Sequence, residues 1–225
     1  VFTGIPSVNA NATNTTALWP GTVASTGAYR RALNLGLLLR MIPLAVSTLA
    51  GSLAGAWLLL HTRQRTFDQL IPWLLLAGTL LFSMRGRVTQ WAVRSQQGGA
   101  PSGGTVTLVA LMQGILGIYI GYFGAGVGIV MLPLLVVMGV EDIHAISGLR
   151  TLLVTCGNAV AVALFILARA VYWPQALTMT LGAILGGYGG AYLAQKMQPR
   201  TVGYVVIAIG WTMTLYFFWK AYLKV

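Results

Sequence analysis

Apolar runs of roughly membrane length succeed one another along most of the chain. Ile42 to Leu60, Thr105 to Tyr122, Ser147 to Ala168, Trp173 to Gln195 and Val202 to Tyr222 each predict a helix. About 20 such residues carry a helix through the ~30 Å core of a bilayer. Gln69 to Met84 predicts a shorter one. Val127 to Val140 is different, since its length corresponds to only about 21 Å of helix. It follows Gly121, Gly124, Gly126 and Gly128 and runs into the polar turn Glu141-Asp142-Ile143-His144. Ser147-Gly148 and Arg150 then stand at the head of the next apolar run. A broken helix, a polar turn and a cation at membrane depth are what a transport site requires, because non-helical backbone persists there only against protein or a wet cavity.

The rest of the pattern is punctuation. Residues 1–20 are polar for such a chain and contain Asn9-Ala-Asn11-Ala-Thr13-Asn14-Thr-Thr16. This predicts a polar turn leading into a weak apolar helix that ends near Arg30-Arg31. Arg85 to Gly104, closing on QQGGAPSGG, predicts a flexible linker and the one internal boundary. Gly51 and Gly55, and Gly182, Gly186 and Gly190, are spaced for close helix contact.

Composition settles the class. The chain is 57% hydrophobic and 8% charged, with mean hydropathy +0.78, which excludes a soluble domain. The acids are Asp68, Glu141 and Asp142 alone, and the net charge is +11. Positive loops beside anionic membrane lipid account for that excess, and attraction of an anionic substrate is the sharper reading. The basic residues form no patch for nucleic acid. Cys156 is the only cysteine, so no intrachain disulfide exists. No cofactor or metal site is implied. The oligomeric state is not readable.

An ungapped shift of 135 places Gly4 on Gly139, Ala10 on Ala145, Gly51 on Gly186, Gly55 on Gly190, Arg65-Thr66 on Arg200-Thr201 and Thr79-Leu80 on Thr214-Leu215. This predicts an all-α, polytopic bundle of two related halves, 1–104 and 105–225, with short or broken helices at the centre. Asn9 to Thr16 becomes the counterpart of His144 to Thr151, and both stretches are expected to face one site. The chain opens on Val1, and the repeat predicts that the first half lacks an N-terminal segment.

An oxyanion at membrane depth needs donors in place of water. Helix N-termini offer unpaired N–H groups, and glycines let backbone approach. Gly124, Gly126 and Gly128 fit that role. Asn9, Asn11, Thr13, Asn14, His144 and Ser147 donate directly. Arg150 offers a permanent forked charge. Glu141 and Asp142 are the candidate coupling carboxylates. Each residue also has a structural reading. The glycines allow helix contact, Asp142 caps a helix, Glu141 faces water, His144 completes a turn, Ser147 bonds back within its helix, and Arg150 snorkels. Asn158 is expected to bridge helices.

GYFGAGVGIVMLPLLVVMGV followed by HAISGLRTLL resembles the second-half signature of the TauE/SafE sulfite-exporter family. Gly4-Ile-Pro6 through Ala10-Asn11-Ala12-Thr13-Asn14 to Pro20-Gly21 resembles its first-half signature, and GAILGGYGGAYLAQKMQPR its glycine-rich helix and basic loop. The resemblance spans nearly the whole chain. It implies a bacterial inner-membrane permease of two related halves, exporting a small anion such as sulfite or an organosulfonate. A non-transporting membrane subunit is the alternative. A serine hydrolase using Ser147 is disfavoured, because a Ser–His dyad needs a base aimed at the serine.

Overall fold

The computed structural model describes residues 4–84, 103–124, 127–196 and 199–223. The linker expected at 85–104 lies almost wholly outside them, as do Gly126 and the side-chain surroundings of Gly186 and Gly190. The described residues form nine α-helices and no strand. These are α1 (Ser7–Ala28), α2 (Leu35–Arg40), α3 (Ile42–His61), α4 (Gln64–Ser83), α5 (Gly103–Tyr122), α6 (Met131–Val137), α7 (Ile143–Leu167), α8 (Trp173–Lys196) and α9 (Pro199–Phe218).

Helix starts follow local chemistry. The Asn34 side chain accepts from Leu37 N at 2.8 Å and starts α2. Asp142 accepts from His144 N and Ala145 N, both at 3.1 Å. It thereby satisfies two of the donors that open a helix. Helix α7 consequently starts at Ile143, four residues ahead of the apolar run. Helix α4 starts at Gln64 for a tertiary reason, since the Gln64 side chain accepts from Val8 N at 3.0 Å.

The larger difference from the sequence reading is α1. Asn9 to Thr16, expected as a turn, is helical. Asparagine favours turns because its side chain competes for nearby backbone. Here Asn9 and Asn11 bond other segments instead, to Ala170 O and Tyr122 O, both at 3.0 Å. The competition is removed and the helix runs through Pro20.

The closest packing joins α3 to α5. A Cβ on Gly51 would collide with the Gly114 carbonyl, one on Gly55 with that of Ile118, and one on Gly121 with that of Ser52. Small residues let the backbones meet where burial in lipid gives no hydrophobic gain. Buried polar groups pin the seam: Gln113 Nε2 donates to Thr48 Oγ1 at 2.8 Å, and Ser52 Oγ to Gly117 O at 3.1 Å. The partners advance together along both helices, so α3 and α5 are parallel.

Two other pairs run the opposite way. Along α1 and α7, Trp19 Nε1 donates to Thr155 O at 3.1 Å, while Gly148 lies against Tyr29 and Leu33, beyond the other end of α1. Along α4 and α9, Thr79 Oγ1 meets Thr214 Oγ1 at 3.4 Å and Trp73 Nε1 donates to the Tyr222 hydroxyl at 3.0 Å. Both pairs are antiparallel.

Two apolar clusters fill the interior. One joins Met41, Leu44, Met131, Leu135, Leu149 and Leu153. The other joins Ala12, Leu59, Phe67, Ala161 and Phe165. Outside, Leu111, Ile115, Leu167, Leu181, Leu185 and Leu215 are exposed. Water would not tolerate so much contiguous apolar surface, and lipid does. Among the described residues, four helices are long and apolar enough to cross a membrane: Ile42–His61, Gly103–Tyr122, His144–Leu167 and Tyr204–Tyr222. The molecule is an all-α membrane protein.

Candidate functional site

Helix α5 ends at a break. Phe123 N and Gly124 N both donate to Tyr119 O at 2.9 Å, and Gly124 has φ +76°. Glycine adopts that conformation without the penalty a Cβ brings. A 3-10 turn, Val127–Ile129, and the seven residues of α6 follow. The expected continuous piece from Val127 to Val140 is therefore in two parts. Helix α6 stops at Gly139, φ +77°, where Gly139 N bonds Val136 O at 2.8 Å and Val140 N bonds Leu135 O at 3.2 Å. Such paired bonds over a left-handed glycine close a helix.

The broken stretch runs back along α7. The position a Cβ would take on Gly124 is 4.0 Å from Asn158 Oδ1, and that on Gly128 is 3.2 Å from Arg150 Cδ. Asp142 then caps α7. The chain thus returns from the level of Asn158 to that of Asp142, about 24 Å of helix rise. Among the described residues it does so through a 3-10 turn and one short helix. The break between Gly124 and Gly128 faces the middle of α7.

Arg150 lies across Gly128. Its side chain is half-buried and forms no ion pair or hydrogen bond among the described residues. Arg150 is the eighth of the 25 residues of α7, and an arginine inside a spanning helix costs up to roughly 2.5–3.5 kcal/mol on insertion scales. Asn158 is the second unsatisfied group. Its Oδ1 is buried and has no hydrogen-bond donor among the described residues; an unsatisfied group of this kind costs on the order of 1–3 kcal/mol. Asn158 does not act as the expected helix bridge through that oxygen. Asn11 completes the frame by donating to Tyr122 O, on the last residue of α5.

The remaining sequence candidates divide. Asn9 and Thr13 fasten α1 to the connection after α7: Asn9 Nδ2 donates to Ala170 O at 3.0 Å, and Thr13 Oγ1 accepts from Tyr172 N at 3.1 Å. Asn14 is half-buried, and no side-chain hydrogen bond is described for it. His144 is exposed and Ser147 half-buried, both in the first turns of α7. Glu141 and Asp142 are exposed, and the Asp142 oxygens are engaged in capping. The structure therefore brings Asn11, Gly124, Gly128 and Arg150 to one break. It leaves Asn9 and Thr13 at one end of α7, and His144 and Ser147 at the other. The two polar stretches do not converge, because α1 and α7 are antiparallel. Asn158 was the residue undervalued in the sequence, and its signal was a lone carboxamide inside a long apolar run. A cavity of about 590 Å³, lined by Pro6, Gln64, Asp68, Phe217 and Lys220 among others, lies elsewhere, where α1 and α4 begin.

The sequence profile described as sulfite exporter TauE/SafE matches residues 1–217. The chain belongs to the TauE/SafE sulfite exporter family. It is a membrane transporter. Similar family relatives carry names of the same kind. A probable membrane transporter protein, ORF9, of Sinorhizobium sp is 27% identical over 211 residues, covering 93% of this chain and 77% of that protein. The probable membrane transporter protein YfcA of Escherichia coli K12 is 23% identical, covering 94% and 76%. A probable membrane transporter protein of Haemophilus influenzae is 24% identical, covering 95% and 81%. No solved structure matches the chain.

Proposed function

We propose that this protein is a multi-pass secondary transporter of the bacterial inner membrane, and that its cargo is a small oxyanion such as sulfite or an organosulfonate. The observation that carries this reading is Arg150. A permanent, half-buried cation without an ion pair or hydrogen bond among the described residues lies over glycine backbone, where a spanning segment is interrupted. A guanidinium presents a fork that matches two oxygens of an anion, and the missing side chain of Gly128 leaves room beside it. Contact with anionic lipid accounts for the remaining basic residues. Nucleic acid has no place in this reading.

We further propose that residues 1–104 and 105–225 are related halves of opposite orientation. The shift of 135 takes both ends of α4, Gln64–Ser83, onto those of α9, Pro199–Phe218. Both corresponding pairs, α1 with α7 and α4 with α9, are antiparallel. An axis in the membrane plane relates such halves, and rocking one against the other exposes a central site alternately to either side.

Uptake into liposomes by the full-length protein, against a panel of sulfite, sulfonates, sulfate and chloride, tests the function. Arg150→Lys keeps the charge but loses the fork, and weakens flux of the preferred anion. Arg150→Gln abolishes it, with the protein still folded. Unchanged anion affinity in a well-folded Arg150→Gln protein would refute the role.

A further inference from the structure

We propose that the seam between α4 and α9 binds a phospholipid whose head group carries both a phosphate and a primary ammonium, as phosphatidylethanolamine does. Two spaces lie along that seam. The cavity of about 590 Å³ opens where α4 begins and α9 ends, and its walls include Arg65, Asp68, Phe217 and Lys220. A second space, of about 320 Å³, is bordered by Leu74, Leu75, Gly78 and Phe82 of α4 and by Val206 and Ile207 of α9. The first is charged and the second apolar, and the two are in line. Asp68, Leu75 and Thr79 follow Gln64 at intervals of four, eleven and fifteen residues, and Gly210 and Phe217 follow Val206 at four and eleven. Residues at those intervals share one face of a helix.

The charged cavity is at the level of the membrane surface. The spans Ile42–His61 and Tyr204–Tyr222 both end there, His61 just ahead of Gln64 and Tyr222 in the cavity wall. The Tyr222 hydroxyl accepts from Trp73 Nε1 at 3.0 Å and donates to Gln69 O at 3.3 Å. Such rings are enriched where lipid meets water. Gly78 lies ten residues beyond Asp68, about 15 Å along α4, which is half the ~30 Å hydrocarbon core. A head group in the first space therefore sets an acyl chain of its own leaflet beside the second.

The charges select the head group. Arg65 presents a fork that matches two phosphate oxygens, and Lys220 adds positive charge from the α9 side. Asp68 is one of only three acids in the chain. Neither it nor Arg65 has a side-chain ion pair or hydrogen bond among the described residues. Diffuse attraction of basic loops to anionic lipid does not explain an acid at the same spot. A head group with phosphate alone would set like charge beside Asp68. A primary ammonium next to the phosphate neutralises that carboxylate and donates hydrogen bonds to it, whereas the trimethylated ammonium of phosphatidylcholine has none to donate.

Thermal unfolding of the purified, delipidated full chain in detergent tests the site, because a ligand of the folded state raises Tm. Phosphatidylethanolamine, phosphatidylcholine and phosphatidylglycerol with identical acyl chains are titrated separately, beside glycerophosphoethanolamine, the same head group without chains. The wild type is expected to show a saturable rise in Tm. Half-saturation should come at an about fivefold lower concentration of phosphatidylethanolamine than of the other lipids, a difference of ~1 kcal/mol. The chainless head group should give no rise over the same range. Asp68→Asn removes the preference and Asp68→Glu keeps it, while Arg65→Gln weakens binding of all three lipids. Val206→Trp, which narrows the apolar space, weakens all three without changing their order. Arg65, Asp68 and Val206 are exposed, so these variants should fold. Equal half-saturation for the three lipids, a stronger response to phosphatidylglycerol, or an undiminished preference in Asp68→Asn overturns the head-group site. An equal response to the chainless head group, or an unchanged one in Val206→Trp, overturns the lipid as occupant.

Discussion

At the residue scale, the break depends on what glycine omits. A Cβ on Gly128 would stand 3.2 Å from the flexible Cδ of Arg150, and the arginine can yield a few tenths of an ångström. Gly128→Ala should therefore fold and displace the guanidinium, raising the KM for the transported anion more than it lowers kcat. Gly124→Ala should be worse tolerated. Its φ of +76° is strained for any side chain, at on the order of 1 kcal/mol. Loss of Tm in Gly124→Ala, with Tm kept in Gly128→Ala, checks the distinction. Arg150 was legible from sequence because one charge in an apolar run is conspicuous. The placement of Asn11 and Asn158 was not, since both lie against the end of α5, which is distant in sequence, and no local pattern encodes such contacts.

At the element scale, the spans were legible because hydrophobic length is a composition property. Their starts were less so, since Gln64 and Asp142 are polar residues recruited by a tertiary bond and by a cap. The interruption of 123–140 was visible as glycine spacing, but the second stop at Gly139 depends on backbone geometry. Two expectations follow. Gly55→Ala sets a methyl against the Ile118 backbone, which cannot move aside as a side chain does. It should cost more than about 2 kcal/mol, read as a fall in Tm in detergent. Asp142→Asn should preserve the helix start, since asparagine caps nearly as well as aspartate, whereas Asp142→Ala should cost about 1 kcal/mol. The asparagine variant thus separates capping from proton carriage. If flux is proton-linked through Glu141 or Asp142, Glu141→Gln or Asp142→Asn abolishes its pH dependence, and unchanged dependence in both removes them as carriers.

At the scale of the molecule, the offset of 135 could be read from the chain, but the opposite orientation proposed for the halves could not. Arginines flank successive loops without a clear bias, and a pass made of fragments cannot be counted by hydropathy. Sidedness of labelling is the measurement. Arg65 lies where α4 begins, beside the start of α1, and His144 at the start of α7; both are exposed. In a Cys156→Ala background, Arg65→Cys and His144→Cys should react with a membrane-impermeant thiol reagent from opposite faces. Reaction from the same face would refute the inverted arrangement.

The contact of Thr79 with Thr214 then has a consequence of its own. The two threonines are 135 residues apart and touch each other, so in the proposed pair of related halves each is the other's counterpart and its neighbour. If the halves proposed above trade conformations, residues away from this contact exchange one environment for a different one, while this pair merely swaps names. It is a fulcrum, a place that a seesaw does not move. Valine at both positions should therefore lower the stability of the inward- and outward-open forms alike and leave their ratio untouched, whereas valine at one position alone breaks the balance and tips the protein toward one face.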